Sequence, residues 1–167
     1  MPKHPFRIGR SVTGLGLFAT ETIKKGQRVV EYTGRRLTTK QAEWIEDNTE
    51  NRYVFELNDK VSIDGSSRSN YARYVNHSCR PNCESYQYAM KIFYRAKWTI
   101  HPGQELTVSY GQDYFDSFIK PIGCKCPTCI ARRKRERMEA RAKAARKKKR
   151  ALNGKHKNGK SRNGKAR

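Results

Sequence analysis

Five short runs in the first two thirds of the chain have the length and apolar patterning of β-strands: Gln27–Tyr32, Tyr53–Leu57, Val61–Asp64, Met90–Ala96 and Glu105–Tyr110. Glycine turns punctuate them. Between the first two, Thr38-Thr39-Lys40-Gln41 has the form of a capping box. In such a box a hydroxyl at the helix start and an amide three residues on each satisfy a backbone N–H that the helix leaves unpaired. Ala42, Trp44 and Ile45 follow at helical spacing and predict the apolar side of that helix. A second helical turn is predicted over Asn70–Asn76, where Tyr71, Tyr74 and Val75 gather on one side. The expected class is mainly β, with small sheets, short helices and much loop around one compact core.

Beyond Ala131 this patterning stops. Arg132–Arg150 is made of good helix formers but has no sustained apolar stripe by which to pack. The last fifteen residues repeat a five-residue unit, beginning at Asn153-Gly154-Lys155, Asn158-Gly159-Lys160 and Asn163-Gly164-Lys165. Asn-Gly pairs favour tight turns, yet no apolar strands flank them to make hairpins. Chain entropy and like-charge repulsion therefore predict disorder over 132–167 until a partner binds.

Charge sharpens that division. The 167 residues carry a net charge of +22, and the segment 132–167 holds 18 basic and 2 acidic residues, a net +16. A modestly basic body of one-domain length is followed by a short polycation. Release of counterions from phosphate favours DNA or RNA as the tail's partner, with steep salt dependence and little sequence preference, since no base-reading motif is present. No apolar run approaches the roughly 18 residues of a membrane span. The first residues, Met1-Pro2-Lys3-His4-Pro5-Phe6, lack the apolar stretch of a secretory signal. Five cysteines, an odd number, argue against a complete secreted disulfide framework. The expectation is a soluble intracellular protein with reduced thiols and no membrane partner.

Candidate chemistry concentrates in three segments. Arg73-Tyr74-Val75-Asn76-His77-Ser78-Cys79-Arg80-Pro81-Asn82-Cys83 packs a histidine, two asparagines and a cysteine into a turn stiffened by proline. Gly103-Gln104-Glu105-Leu106-Thr107-Val108-Ser109-Tyr110-Gly111 follows, and then Cys124-Lys125-Cys126-Pro127-Thr128-Cys129. Upstream lie Gly14-Leu15-Gly16-Leu17 and Tyr32-Thr33-Gly34. In this order, from about Arg7 to Cys129, these elements closely resemble the SET-domain protein lysine methyltransferases with a post-SET cysteine cluster.

That resemblance implies a fold of small β-sheets with short helices and a knot-like C-terminal threading. It divides the chain into a SET domain over 1–118, a post-SET segment over 119–131 and the basic tail over 132–167. It implies methyl transfer from S-adenosyl-L-methionine to a lysine side chain, with histones the leading substrate. Ribosomal or other nucleic-acid-binding proteins are the alternative substrates, and a silent nucleic-acid-binding adaptor is the alternative from another class. The expected compartment is the nucleus and chromatin in a eukaryote, or cytoplasm and nucleoid in a bacterium. The sulfonium is already a good leaving group, so such an enzyme needs in-line alignment and a deprotonated amine more than strong acid catalysis. A lysine amine, ordinarily titrating near 10.4, loses its proton more readily when desolvated beside a cation. Aromatic walls suit both its stem and its charge.

By the same resemblance Tyr110 is the catalytic tyrosine and Tyr32 lines the lysine channel. Leu15, Gly16 and Leu17 contact the cofactor through their backbone, where glycine removes a Cβ obstruction. Asn76 and His77 contact the adenosyl moiety. Arg73 lies at the cofactor edge or else in an exposed salt bridge, and Tyr53 either faces the site or joins the core. Cys79, Cys124, Cys126 and Cys129 supply four thiolates to a structural zinc, which would pin the C-terminal segment over the cofactor pocket. Cys83 is the odd one left, a small buried hydrophobe. The chain departs from the pattern at Val108, where many members carry the aromatic that governs how many methyl groups are added. Product multiplicity is thereby left open, with Tyr86 and Tyr88 as candidates to take that role.

Overall fold

The computed structural model describes residues 4–159, with side chains through residue 150. Four small sheets carry the architecture. Strands β1 (Phe6–Ser11) and β2 (Gly14–Ala19) form an antiparallel hairpin in which Gly9 faces Gly16. Strands β3 (Arg28–Tyr32), β8 (Cys83–Tyr88) and β9 (Lys91–Ala96) form an antiparallel sheet in the order β3-β9-β8. Strands β4 (Arg35–Thr38), β5 (Val54–Asn58) and β6 (Val61–Asp64) form another, with β6 central. The fourth is a two-residue parallel pair, β7 (Asn76–His77) with β10 (Thr107–Val108).

Helix α1 (Thr39–Asn48) starts at the expected capping box. The Thr38 hydroxyl accepts from the Gln41 N–H, and the Gln41 side chain accepts from the Thr38 N–H. Ala42 and Ile45 are buried with Leu37, but Trp44 is 61% exposed, so the third apolar position points to solvent rather than to the core. The turn expected over Asn70–Asn76 is a 3-10 turn at Tyr71–Tyr74, capped by the Asn70 side chain. The core of the sheets is Leu17, Ile23, Ile92, Ile100 and Leu106, none of them accessible, with Val75 and Val108 closing it. A short helix α2 (Gln112–Tyr114) continues into one wide turn over Phe115–Ile119.

The described residues fall into two units, one ending at Cys126 and one beginning at Pro127. The second is a single helix, α3 (Pro127–Gly159). Here the structure differs from the expected disorder. Ala, Glu, Arg, Lys and Met favour a helix strongly enough to outweigh repulsion along it. Ion pairs one turn apart, Arg132–Glu136 at 3.7 Å and Arg135–Glu139 at 3.8 Å, contribute a few tenths of a kcal/mol each. As the missing apolar stripe requires, residues 134–150 are exposed throughout. The end of the five-residue repeat, from Lys160, lies outside the described residues. No helix among them is long and apolar enough to cross a membrane.

Candidate active site

The Asn76–Asn82 motif is a set of clamps on the segment Glu105–Tyr110, which contains β10. Asn76 Nδ2 donates to the Leu15 carbonyl at 3.0 Å and to Glu105 Oε1 at 2.7 Å. Ser78 N–H donates to the Val108 carbonyl at 3.0 Å. Asn82 Nδ2 donates to the Glu105 carbonyl at 2.8 Å, and its Oδ1 accepts from Thr107 N–H at 2.8 Å. His77 Nδ1 lies 3.4 Å from the Tyr110 N–H it accepts, and His77 Nε2 lies 3.5 Å from Cys79 Sγ. Burial holds the His77 imidazole below its ordinary range, favouring the neutral ring. One heptapeptide thus joins the Gly-x-Gly strand, the tyrosine strand and the cysteines.

Gly16 is required by this closeness. A Cβ there would stand 2.5 Å from Glu105 Oε1 and 3.1 Å from Asn76 Nδ2. The Gly-x-Gly segment is therefore not only a turn before a strand; it is the strand β2 itself, paired with β1 on one edge and bridged to Glu105 on the other.

A cavity of about 920 Å³ opens in the first unit. Of the expected site residues, it brings together Leu15, Tyr32, Tyr53, Arg73, Asn76 and Tyr110. Gly16, Leu17 and His77 are not on its wall: Leu17 is sealed in the core, with its carbonyl taken by Leu106 N–H at 2.8 Å. Tyr110 donates its hydroxyl to the Val75 carbonyl at 2.8 Å, and Tyr32 donates to the Tyr53 carbonyl at 2.8 Å. Burial raises both phenols well above the ordinary tyrosine range, and neighbouring phenols add to the effect. Both stay protonated at any physiological pH. The Arg73 guanidinium lies over the Tyr53 ring, 4.3 Å from its centroid, and donates through Nη1 to the Ser66 carbonyl. Its Nε is buried with no partner among the described residues, an unfilled donor that an anionic ligand group would satisfy.

Two tyrosines expected to matter lie elsewhere. Tyr86 accepts a hydrogen bond from Arg28 Nε at 2.8 Å, and Tyr88 is 65% exposed; neither lines the cavity. Their strand, β8, is the outer strand of its sheet, which turns them away. The cavity instead carries Tyr74, from the predicted turn, with Tyr94 and Tyr114, which no motif in the sequence singles out. Each lies in a run where an aromatic is an ordinary core residue, and only the closure of the sheets shows which of them reaches the site.

The sulfur atoms of Cys79, Cys124, Cys126 and Cys129 lie within 4.8 Å of one another, and those of Cys79 and Cys124 are 3.8 Å apart. Four thiolates about 2.3 Å from a tetrahedral zinc would stand about 3.8 Å apart, so the donor set and spacing fit that ion. Cys83 stands apart as expected, 1% exposed in the core. Its thiol is pushed up to about 12 by burial.

The sequence model of the SET domain family matches residues 14–111. Among curated proteins, the chain is 34% identical over 127 residues to the histone-lysine N-methyltransferase trr of Drosophila melanogaster, covering 71% of this chain and 5% of that protein. It is 34% identical over 126 residues to the H3 lysine-4 specific histone-lysine N-methyltransferase of Schizosaccharomyces pombe, covering 69% and 13%. Among solved structures it is similar to a humanized mutant of the Chaetomium thermophilum Polycomb Repressive Complex 2 bound to the inhibitor GSK343. That likeness has a TM-score of 0.58 and 28% identity, covering 65% of this chain and 15% of the other. The chain thus spans only a small part of the length of these relatives. The match across more than half of its residues, with the cavity, the clamped motif and the cysteine cluster in family order, establishes that this chain belongs to the SET domain family.

Proposed function

We propose that this chain is a protein lysine N-methyltransferase that takes its methyl group from S-adenosyl-L-methionine and delivers it to a lysine of histones in chromatin. The observation that carries this reading is the tyrosine-walled cavity, where Tyr110 and Tyr32 have each committed their proton to a backbone carbonyl. A phenol so committed keeps its oxygen lone pairs as acceptors for the N–H groups of an amine. Held that way, the amine has its own lone pair directed rather than free to rotate, and alignment of this kind is worth several kcal/mol of barrier. The cavity wall also bears Glu46, Glu56 and Asp113 beside Arg52, Arg68 and Arg73, so selection of lysine rests on the phenols more than on net charge.

When bound, S-adenosyl-L-methionine supplies a methyl group on a sulfonium that departs as a neutral thioether. Leu15, Tyr53, Arg73, Asn76 and Tyr110, which line the cavity, are the residues assigned to hold it, with Gly16, Leu17 and His77 behind its wall. The unfilled Arg73 Nε suits a carboxylate, and the aromatic wall suits a base ring. The four cysteines hold a structural zinc, and the basic segment from Arg132 binds DNA or RNA without sequence preference. The relatives named as histone-lysine N-methyltransferases support the substrate class.

Transfer of a radiolabelled methyl group to purified core histones tests the reading. The wild-type chain is expected to incorporate label, and Tyr110→Phe to slow transfer about a hundredfold, the scale of one lost transition-state hydrogen bond. Cofactor affinity is expected to persist in that variant. A wild-type chain that binds the cofactor and transfers nothing would leave a binding adaptor in place of the enzyme.

A further inference from the structure

Tyr86 and Tyr88 have no part in the cavity, and the sheet face on which they stand carries groups that methyl transfer leaves unused. Alternate residues of a strand share a face. Register puts Phe93 opposite Tyr86, Lys91 opposite Tyr88 and Arg95 opposite Glu84 on the neighbouring strand β9. From the other side Arg28 of β3 stands opposite Arg95. The reverse face sends Ile92, Tyr94 and Ala96 into the core, so this one looks outward. Its two acids are already paired, Glu84 with Arg95 at 2.8 Å and Glu31 with Lys91 at 3.2 Å. Arg28 has no acid. Its guanidinium lies over the Phe93 ring, 3.8 Å from the centroid, and its Nε donates to the Tyr86 hydroxyl at 2.8 Å. The two terminal nitrogens of Arg28 have no partner among the described residues. Like charges directly opposite across two strands are destabilising, so an anion beside Arg28 and Arg95 would relieve a cost built into the sheet. Tyr88 is the second unused group. It is 65% exposed, and its ring makes no ring contact or hydrogen bond among the described residues. Four residues of β8 separate it from Glu84, which places it about 13 Å along the sheet from the arginine pair.

We infer that this outer face binds single-stranded nucleic acid, with a backbone phosphate on the free end of Arg28 and a base stacked on Tyr88. A guanidinium fork takes phosphate oxygens in pairs, and an exposed ring stacks any base. In a duplex the faces of the bases are closed against one another, so only an unpaired strand uses Tyr88. An acidic protein segment would satisfy Arg28 but brings no flat group to Tyr88. The segment 132–167 contains no Phe, Tyr or Trp. It neutralises phosphates and has no ring on which a base could stack, so a preference for single strands has to come from the body. None of Arg28, Tyr86, Tyr88 and Phe93 lines the cavity, and this binding is independent of the methyltransferase reading.

Fluorescence anisotropy of the full chain with short oligo(dT) and oligo(U) strands, and with a duplex of equal length, tests it. Tyr88→Ala is expected to weaken both single strands about tenfold and to leave the duplex unchanged. Tyr88→Phe, which keeps the ring, is expected to bind all three as wild type does. Both substitutions fall on an exposed position, so the thermal midpoint is expected to stay at its wild-type value. In a salt series, Arg28→Gln is expected to lower the single-strand slope by about 0.7, the share of one phosphate, with the duplex slope unchanged. A Tyr88→Ala chain that holds single strands as tightly as wild type overturns the inference. So does one that loses single strand and duplex alike, or an unchanged single-strand slope in Arg28→Gln. Polyglutamate, which has charge without bases, is expected to bind Tyr88→Ala and wild type equally. A tenfold loss there would make the face a site for acidic protein and would also overturn the inference.

Discussion

Gly34 shows how close the backbone comes to itself at the start of β4. A Cβ at Gly34 would overlap the carbonyl of Asp64, where β4 and β6 meet, and backbone cannot swing aside as a side-chain tip can. Gly34→Ala is therefore expected to cost about 3 kcal/mol, lowering the thermal midpoint by roughly 10 °C in a unit of this size. Gly16→Ala meets side chains rather than backbone (the carboxylate of Glu105, with Asn76 and Ser11 at the edge of contact), so it is expected to cost less, about 1–2 kcal/mol. Differential scanning calorimetry of the two variants checks the order, and equal midpoints would remove the close-approach account. The buried phenols give a second residue-scale prediction. Tyr32, Tyr94 and Tyr110 are all held above the ordinary tyrosine range by burial. In the unfolded chain they release protons near pH 10, while in the native state they do not. Above that pH the native state binds more protons than the unfolded one, so stability falls as pH rises, by up to roughly 1.4 kcal/mol per pH unit for each phenol. Below pH 10 the three contribute no pH dependence. Stability from urea unfolding should decline gently from about pH 8.5, where the unfolded Cys83 thiol ionises and the buried one does not, and steepen above pH 10; no steepening there would show that these phenols ionise in place.

At the scale of elements, what the sequence made legible was what local chemistry decides. The capping box of α1 and the strand Val61–Asp64 stand where the pattern put them, because a cap and a period-two run are settled within a few residues. Trp44 was misplaced because helical spacing alone does not say which side meets the sheet. Strand β8 went unseen because Glu84, Ser85 and Gln87 break its apolar alternation, as an outer strand tolerates. The run Glu105–Tyr110 shortened to Thr107–Val108 because its first residues pair elsewhere. Glu105 bridges to Phe18, and Leu106 N–H donates to Leu17. In the same way Tyr94 was indistinguishable from any core aromatic until tertiary closure set it on the cavity wall. The cysteines were legible in spacing, and their convergence leads to a prediction about the loop that carries them. Chelation of zinc, or Cys79→Ser, is expected to lower the thermal midpoint and abolish bound metal measured by mass spectrometry. Cys83→Ala, in the core, is expected to keep full metal content while losing about 1 kcal/mol of stability. Equal metal content in Cys79→Ser and wild type would take Cys79 out of the site.

For the whole molecule, charge and packing divide along the same line. The first unit has its own core and needs nothing from the basic segment to bury Leu17, Ile23, Ile92 or Leu106. Residues 132–167 hold +16 of the net +22, and 134–150 expose every side chain. A chain ending at Ala131, which keeps all five cysteines, is therefore expected to melt within about 2 °C of the full chain, since exposed residues contribute little to stability. It is also expected to methylate a free histone peptide at the full-length rate. What it should lose is retention on DNA. For the full chain, the logarithm of affinity should fall with the logarithm of salt by about 0.9 for each phosphate neutralised. The truncated chain, with only +6 of net charge left, should show a much shallower slope. Fluorescence anisotropy with a mixed-sequence duplex across a salt series separates the two. Equal slopes would place the nucleic-acid contacts on the body, and a collapse of peptide turnover on truncation would show that the segment takes part in folding or catalysis. The expected pattern, unchanged turnover of a free peptide with lost retention and slower methylation of histones on DNA, would mean that the polycation acts through local concentration.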